Sequence, residues 1–299
     1  MRLLNCTAAL GAALALCATS ALAQAPAWPA DGTGPKAPAT LPAPPSVAES
    51  WNGVWNITGG LIFDPEHIVL VKDPANGDGF SYGPEGGSHF TGAPYNAKYQ
   101  KIYDDTVKQA AKNIITDPMA NCILPHGMPR IMGGGPGPME LIVRPNQVWM
   151  LFDYMNESRR IYTDGRGHAK REEAFPLTMA HSIGRWEGDT LVVDSVDMPN
   201  GIYDRTGAPH SDQVHLMERI RLIDANTLED QMTIEDPVAF TAPWKITRKF
   251  RRLALGAQVQ GSYCENNRND LVGPGGSQTA VLATDAKPGK APAKPRRKK

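Results

Sequence analysis

The chain has 299 residues, 31 of them basic and 31 acidic, so it carries no net charge at neutral pH. Nothing in that balance calls for a nucleic-acid partner. Beyond the first 23 residues no apolar run is long enough to span a bilayer, which points to a soluble mature body.

Met1 and Arg2 are followed by an apolar run from Leu3 to Ala18 and a small-x-small site at Ala21-Leu22-Ala23. That is the pattern of a secretory signal peptide over 1–23, cleaved after Ala23, and it predicts a periplasmic or secreted protein. Residues 24–48 are mostly Ala and Pro and read as an extended linker. A single globular domain is expected over 49–272, followed by a disordered tail over 273–299. Seven of the last 13 residues, from Lys287 to Lys299, are basic, which allows a weak contact with an anionic envelope surface.

Within the domain, "WNGVWNITGG" reads as an opening strand. Pro94 to Ile114 spaces Tyr95, Tyr99, Ile102, Tyr103, Val107 and Ala110 along one stripe and predicts a helix. "CILPHGMPRIMGGGPGP" reads as a long irregular loop. The second half is a series of short runs rich in β-branched and aromatic residues and bounded by turn signals: "MELIVRP", "QVWMLFDYM", "ESRRIYTDG", "HSIGRW", "TLVVDSV", "HLMERIRLI", "TLEDQMTIE", "WKITRKFRRL" and "AQVQGSYC". The connections are too short for crossover helices, so an antiparallel meander is expected. Closing that meander into a barrel removes its exposed edges. The expected fold is therefore mainly β, a closed barrel with one helix in the N-terminal half and long Gly/Pro loops.

"GVW" in the opening strand is similar to the Gly-x-Trp signature of lipocalins, which implies a calycin-type barrel. "HSIGRWEGDTLVVD", "RRIYTDGR", "PHSDQVHLMERIR" and "CENNR" together resemble a family of exported bacterial proteins. That resemblance spans most of residues 50 to 268 and implies an exported single-domain protein; it carries no activity or site residue with it.

With Cys6 and Cys17 lost in the signal, Cys122 and Cys264 remain. In an oxidising compartment an even pair predicts a disulfide, which would stabilise the fold by roughly 4 to 5 kcal/mol on the chain-entropy model.

The densest titratable stretch is "APHSDQVHLMER". Along the following strand Leu216, Glu218, Ile220 and Leu222 share one face, and His215, Met217, Arg219 and Arg221 share the other. A carboxylate on an apolar face must be paired or raised in pKa, which makes Glu218 a candidate proton carrier or half of a salt bridge with an arginine such as Arg248. His181, His215 and Glu218 are the expected catalytic groups, with Arg185, Tyr162, Asp164, His210 and Asp212 as substrate contacts. His215 and Glu218 point to opposite faces of a regular strand, so His181 with Glu218 is the better pair. No HExxH, nucleophile elbow or dinucleotide fingerprint is present, so no cofactor is expected. A metal held by His181, His210 and His215 is the third reading.

These groups suit a cofactor-independent lyase, isomerase or hydrolase acting on a small apolar or aromatic molecule in the barrel. The alternative is a carrier or sensor, which needs a mostly apolar lining with few polar anchors.

Overall fold

The computed structural model describes residues 44–60, 62–72, 80–81, 89–112, 117, 127–134, 137–170, 174–261, 271–272 and 278–279. The signal peptide, most of the Ala/Pro linker and most of the basic tail lie outside the described residues. Leu271–Val272 pairs with Gln278–Thr279, a short ladder that reaches into the stretch expected to be unstructured.

Nine strands build the body: β1 (Gly53–Ile57), β2 (Met139–Arg144), β3 (Gln147–Phe152), β4 (Ser158–Tyr162), β5 (His181–Glu187), β6 (Thr190–Val196), β7 (His215–Asp224), β8 (Thr227–Glu235) and β9 (Trp244–Arg252). Each pairs with its neighbours in the chain, and β9 returns to β1, so the sheet closes into a calycin-like barrel. Eight junctions are antiparallel and one, β4 with β5, is parallel. Parity requires it. Every antiparallel junction reverses direction, and a closed ring needs an even number of reversals, so nine strands must include a parallel pair. The connection over 163–180 carries the chain back along the barrel to make it, which corrects the all-antiparallel meander read from the sequence.

Alternation decides which side chains enter the barrel. Leu141, Met150, Ile161, Leu191, Val193, Leu216, Ile220 and Leu228 are fully buried, each contributing about 1.5–3 kcal/mol by leaving water. Both ends are closed by aromatic side chains. At the hairpin end Trp51, from a 3-10 turn (Ser46–Trp51), meets Trp186 edge-on at 5.0 Å. At the other end Phe63, Phe90, Tyr203, Phe240 and Trp244 form a cluster, with Tyr203 and Trp244 edge-to-face at 5.0 Å. Aliphatic side chains thus fill the middle of the interior, with aromatic residues at its ends and buried polar ones such as Arg159, Ser182, Ser195 and Glu218 among them.

Helix α1 (Ala97–Ala110) packs over that second end. Its start is set by Asn96, whose side chain accepts from the amides of Lys98 and Tyr99 at 3.1 Å. Tyr103 drops from its buried face; its hydroxyl accepts from the amide of Phe90 at 2.7 Å and donates to Thr206. The Gly/Pro loop holds a short helix α2 (Arg130–Gly134), anchored by a buried bidentate pair of Arg130 with Asp117.

Two expectations need correction. Residues 257–261 form no strand; β9 already pairs with β1, so the closed sheet has no edge left to accept one. The expected Cys122–Cys264 disulfide is withdrawn: among the described residues no disulfide bond is present, and both cysteines lie outside them. Compartment and an even count say nothing of whether two Cα atoms come within bridging distance.

Candidate functional site

Glu218 lies inside the barrel. Arg159, on β4, donates through Nη1 to its Oε1 at 2.8 Å and through Nη2 to its Oε2. Two strands, β5 and β6, stand between them, so the pair can meet only across the lumen. Arg159 crosses that gap over two serines, donating from Nε to Ser182 at 3.3 Å and from Nη2 to Ser195 at 2.9 Å. Arginine is the partner expected on physical grounds, but it is Arg159 and not Arg248. Arg248 faces Asp230 across the β8–β9 ladder on the same inner face. Burial, followed by the adjacent Glu218, raises the Asp230 carboxyl well above its ordinary value. Neither Asp230 oxygen has a donor, and Nε and Nη1 of Arg248 have no acceptor.

The histidines gather on the outer wall, at the end of the barrel that the aromatic cluster caps. His181 opens β5 and His215 opens β7, and β6 between them carries Asp194 on its outer face. His215 Nε2 lies 2.8 Å from Asp194 Oδ1, and His168 Nε2 lies 3.1 Å from the same oxygen. His168 Nδ1 is 2.7 Å from His181 Nδ1. An ionised carboxylate only accepts, so both Nε2 atoms donate to Asp194. His168 Nδ1 then accepts from His181 Nδ1–H, which leaves the Nε2 lone pair of His181 free.

The backbone at this rim is held in unusual conformations. Ala180, immediately before His181, has φ 60°, and Asp197, immediately after its cross-strand neighbour Val196, has φ 61°. Left-handed non-glycine residues cost on the order of 1–3 kcal/mol and tend to mark functional sites. Here they fix where β5 and β6 end, and so where His181 starts.

The electrostatics separate the two outer histidines. Burial, with smaller contributions from His168 and Arg166, pushes His181 down to about 4. The hydrogen bond to Asp194 raises His215, against the opposing effect of burial, and Glu235 adds to the rise. Burial alone would raise Asp194, but the hydrogen bonds from His168 and His215 outweigh it and hold the carboxyl well below its usual range. At neutral pH the cluster therefore holds a carboxylate, a neutral His181 and a His215 that favours its proton.

Of the residues expected from the sequence, the structure brings His181, His215, Tyr162 and Asp164 to this wall. The Tyr162 ring lies 6.1 Å from that of His181, and the Arg166 guanidinium covers its face at 3.9 Å. Asp164 grips Arg166 through Nε at 2.9 and 3.0 Å. Glu218 is on the inner face, away from both histidines. His210 is buried beside Tyr203, ring centroids 5.1 Å apart, with Nδ1 at 3.0 Å from Ser211 O. Asp212 sits on the exposed turn that follows. The metal reading is corrected on this placement, because His210 does not join His181 and His215. Among the described residues no three His, Cys, Asp or Glu side chains are arranged to hold a metal. Ring nitrogens on one zinc stand about 3.3 Å apart, from ligand distances near 2.0–2.1 Å in tetrahedral geometry; His168 and His181 instead point at each other.

Two members escape the sequence reading. Asp194 alternates with Val192 and Val196 on the outer face of "TLVVDSV" and was legible by the same test that singles out Glu218. His168 lies in the 163–180 connection, where no periodicity marks a face.

Beside the cluster a trough of about 650 Å³ runs over the outer faces of β5 to β9, with Asp194 and Met217 at one end and Arg185, Arg219 and Lys245 among its walls. Comparison with family models, with curated proteins and with solved structures finds no match for this chain.

Proposed function

We propose that the protein is an exported acid–base catalyst that works on a small organic molecule at the outer wall of the barrel, with His181 as base and His215 as acid. The observation that carries this reading is the convergence of His168, His181 and His215 on Asp194 beside an open trough. Two titratable groups whose surroundings push their pKa values apart are what paired proton transfers require.

His181 alone is a weak base, and His168 supplies what it lacks. A proton taken at Nε2 of His181 releases the Nδ1 proton to His168, and the charge then comes to rest against Asp194. His215 offers its proton from the other side of the same carboxylate. Elimination, isomerisation and hydrolysis all fit such a pair. A carrier is the second reading. It is less well supported, because a calycin-type carrier holds its ligand in the lumen, and here Leu, Val, Ile and Met side chains and the Arg159–Glu218 pair fill the middle of the barrel.

The test incubates the purified protein with small ketones, esters and unsaturated acids in heavy water, following exchange, hydrolysis and elimination by NMR. Turnover is expected to fall by about a hundredfold or more in His181→Ala and in Asp194→Asn. Turnover that survives both substitutions, or that tracks stoichiometric zinc or copper in the protein, overturns the reading.

A further inference from the structure

The ladder registers turn the trough into a ruler. Arg185, Val192, Arg219 and Gln231 lie in one row across β5 to β8, and Asp194, Met217, Thr233 and Lys245 lie in the next across β6 to β9. His181 and His215 open their strands four residues before Arg185 and Arg219. Four residues along a strand cover about 14 Å. The cationic row and the histidine row are therefore separated by the length of an extended small molecule.

The two rows differ in chemistry. Glu187 takes Arg185 through Oε1 at 2.7 Å and Arg219 through Oε2 at 2.9 Å. One carboxylate thus holds two guanidiniums in place on either side of Val192 and leaves an excess positive charge. Each guanidinium keeps N–H groups that Glu187 does not take, in the planar arrangement that suits a second carboxylate. Lys245 adds a third cation; of the acids in the lining, Glu66 and Asp194 face the trough, while the Glu218 side chain is turned inward onto Arg159. The floor is half-buried and apolar at Val192, which lies between the two arginines, and at Met217, two residues nearer the histidines.

We propose that the trough takes an elongated organic anion, its acidic group between Arg185 and Arg219 and its apolar body across Val192 and Met217. The lining of the trough ends at the Asp194–Met217 row, so the far end of the anion projects past that row toward the histidines, and only the fate of that end rests on the acid–base reading. Recognition at the arginines stands on the trough alone. The volume of about 650 Å³ suits a small ligand, and the row spacing favours a chain over a compact acid.

Straight-chain carboxylates are the probes: butyrate, octanoate and decanoate, with octanamide as the neutral match to octanoate. Isothermal titration at low salt should show octanoate and decanoate binding at least about tenfold more tightly than butyrate or octanamide. Arg185→Gln combined with Arg219→Gln should lose about the same factor, as expected when the charged partners of an anion are removed. Both side chains are largely exposed, so the double variant should melt with the wild type. His181→Ala should keep octanoate affinity within about threefold, since the histidine acts at the other end. Equal binding of octanoate and octanamide, full affinity in the double arginine variant, or no carboxylate binding up to about 10 mM overturns the proposal. Loss of turnover in His181→Ala with unchanged anion binding leaves both readings standing. Anion binding without any His181-dependent turnover sinks the catalytic reading alone.

Discussion

Glu218 shows how one residue changes meaning between sequence and structure. Strand alternation marks it correctly as a carboxylate on an apolar face, and Leu216 and Ile220 are indeed buried with it. The same test applied to "RRIY", "LEDQM" and "ITRKF" picks out Arg159, Asp230 and Arg248, the ionisable side chains that share the inner face with it among the described residues. What alternation does not supply is who meets whom across the lumen, because that depends on closure. With Arg159 identified as the partner, Glu218→Gln leaves a guanidinium buried without its counter-charge. The expected loss is about 3–5 kcal/mol in chemical denaturation; a loss under about 1 kcal/mol would show that the pair is not holding the interior. Asp230 should behave in the opposite way. Its folded-state pKa is raised, so its favourable contribution is complete below the ordinary carboxylate value and fades as pH rises toward the folded one. Asp230→Asn cannot titrate and should raise the melting temperature at pH 8 more than at pH 5. An equal change at both pH values would contradict the buried protonated carboxyl.

At the scale of elements, the strands were legible because a half-buried strand writes its face into every second residue. The connection between β4 and β5 was not, because residues 163–180 carry no such period and the parallel junction follows only from ring closure. The histidine cluster suffers for the same reason, since His168 sits in that connection. Helix α1 was legible from its stripe, and the structure adds the cap that starts it. Asn96 does two things: its Oδ1 receives the first amides of the helix, and its Nδ2 donates to Val238 O at 2.8 Å. Asn96→Ala should cost about 1–2 kcal/mol, near the upper end for a cap because both links are lost. Asn96→Asp keeps the acceptor and should recover part of that loss. If the two variants melt together, the cap is not what holds α1 over the aromatic end.

Across the whole molecule, the barrel sorts its titratable groups into two populations by face. Inside, Arg159, Glu218, Asp230 and Arg248 are packed among apolar side chains and serve the fold. Outside, His168, His181, His215 and Asp194 share one rim with a trough beside them, and it is there that the proposed chemistry is placed. For the proposed catalysis the division predicts a pH window. His181 must be unprotonated, which holds above about 4, and His215 must keep its proton, which its hydrogen bond to Asp194 extends beyond the ordinary histidine range. Activity should therefore rise on the acid side near 4 and fall on the alkaline side beyond the ordinary histidine range.

The most direct measurement needs no substrate. Histidine ring resonances of the full-length protein can be followed by NMR from pH 3.5 to 9, with assignments from single His→Gln variants. In the wild type His181 should titrate near 4 and His215 above the ordinary histidine value. In Asp194→Asn, His215 should fall, because burial is then opposed only by the smaller effect of Glu235. Two histidines that titrate together near 6.5 in the wild type, indifferent to Asp194→Asn, would contradict the account.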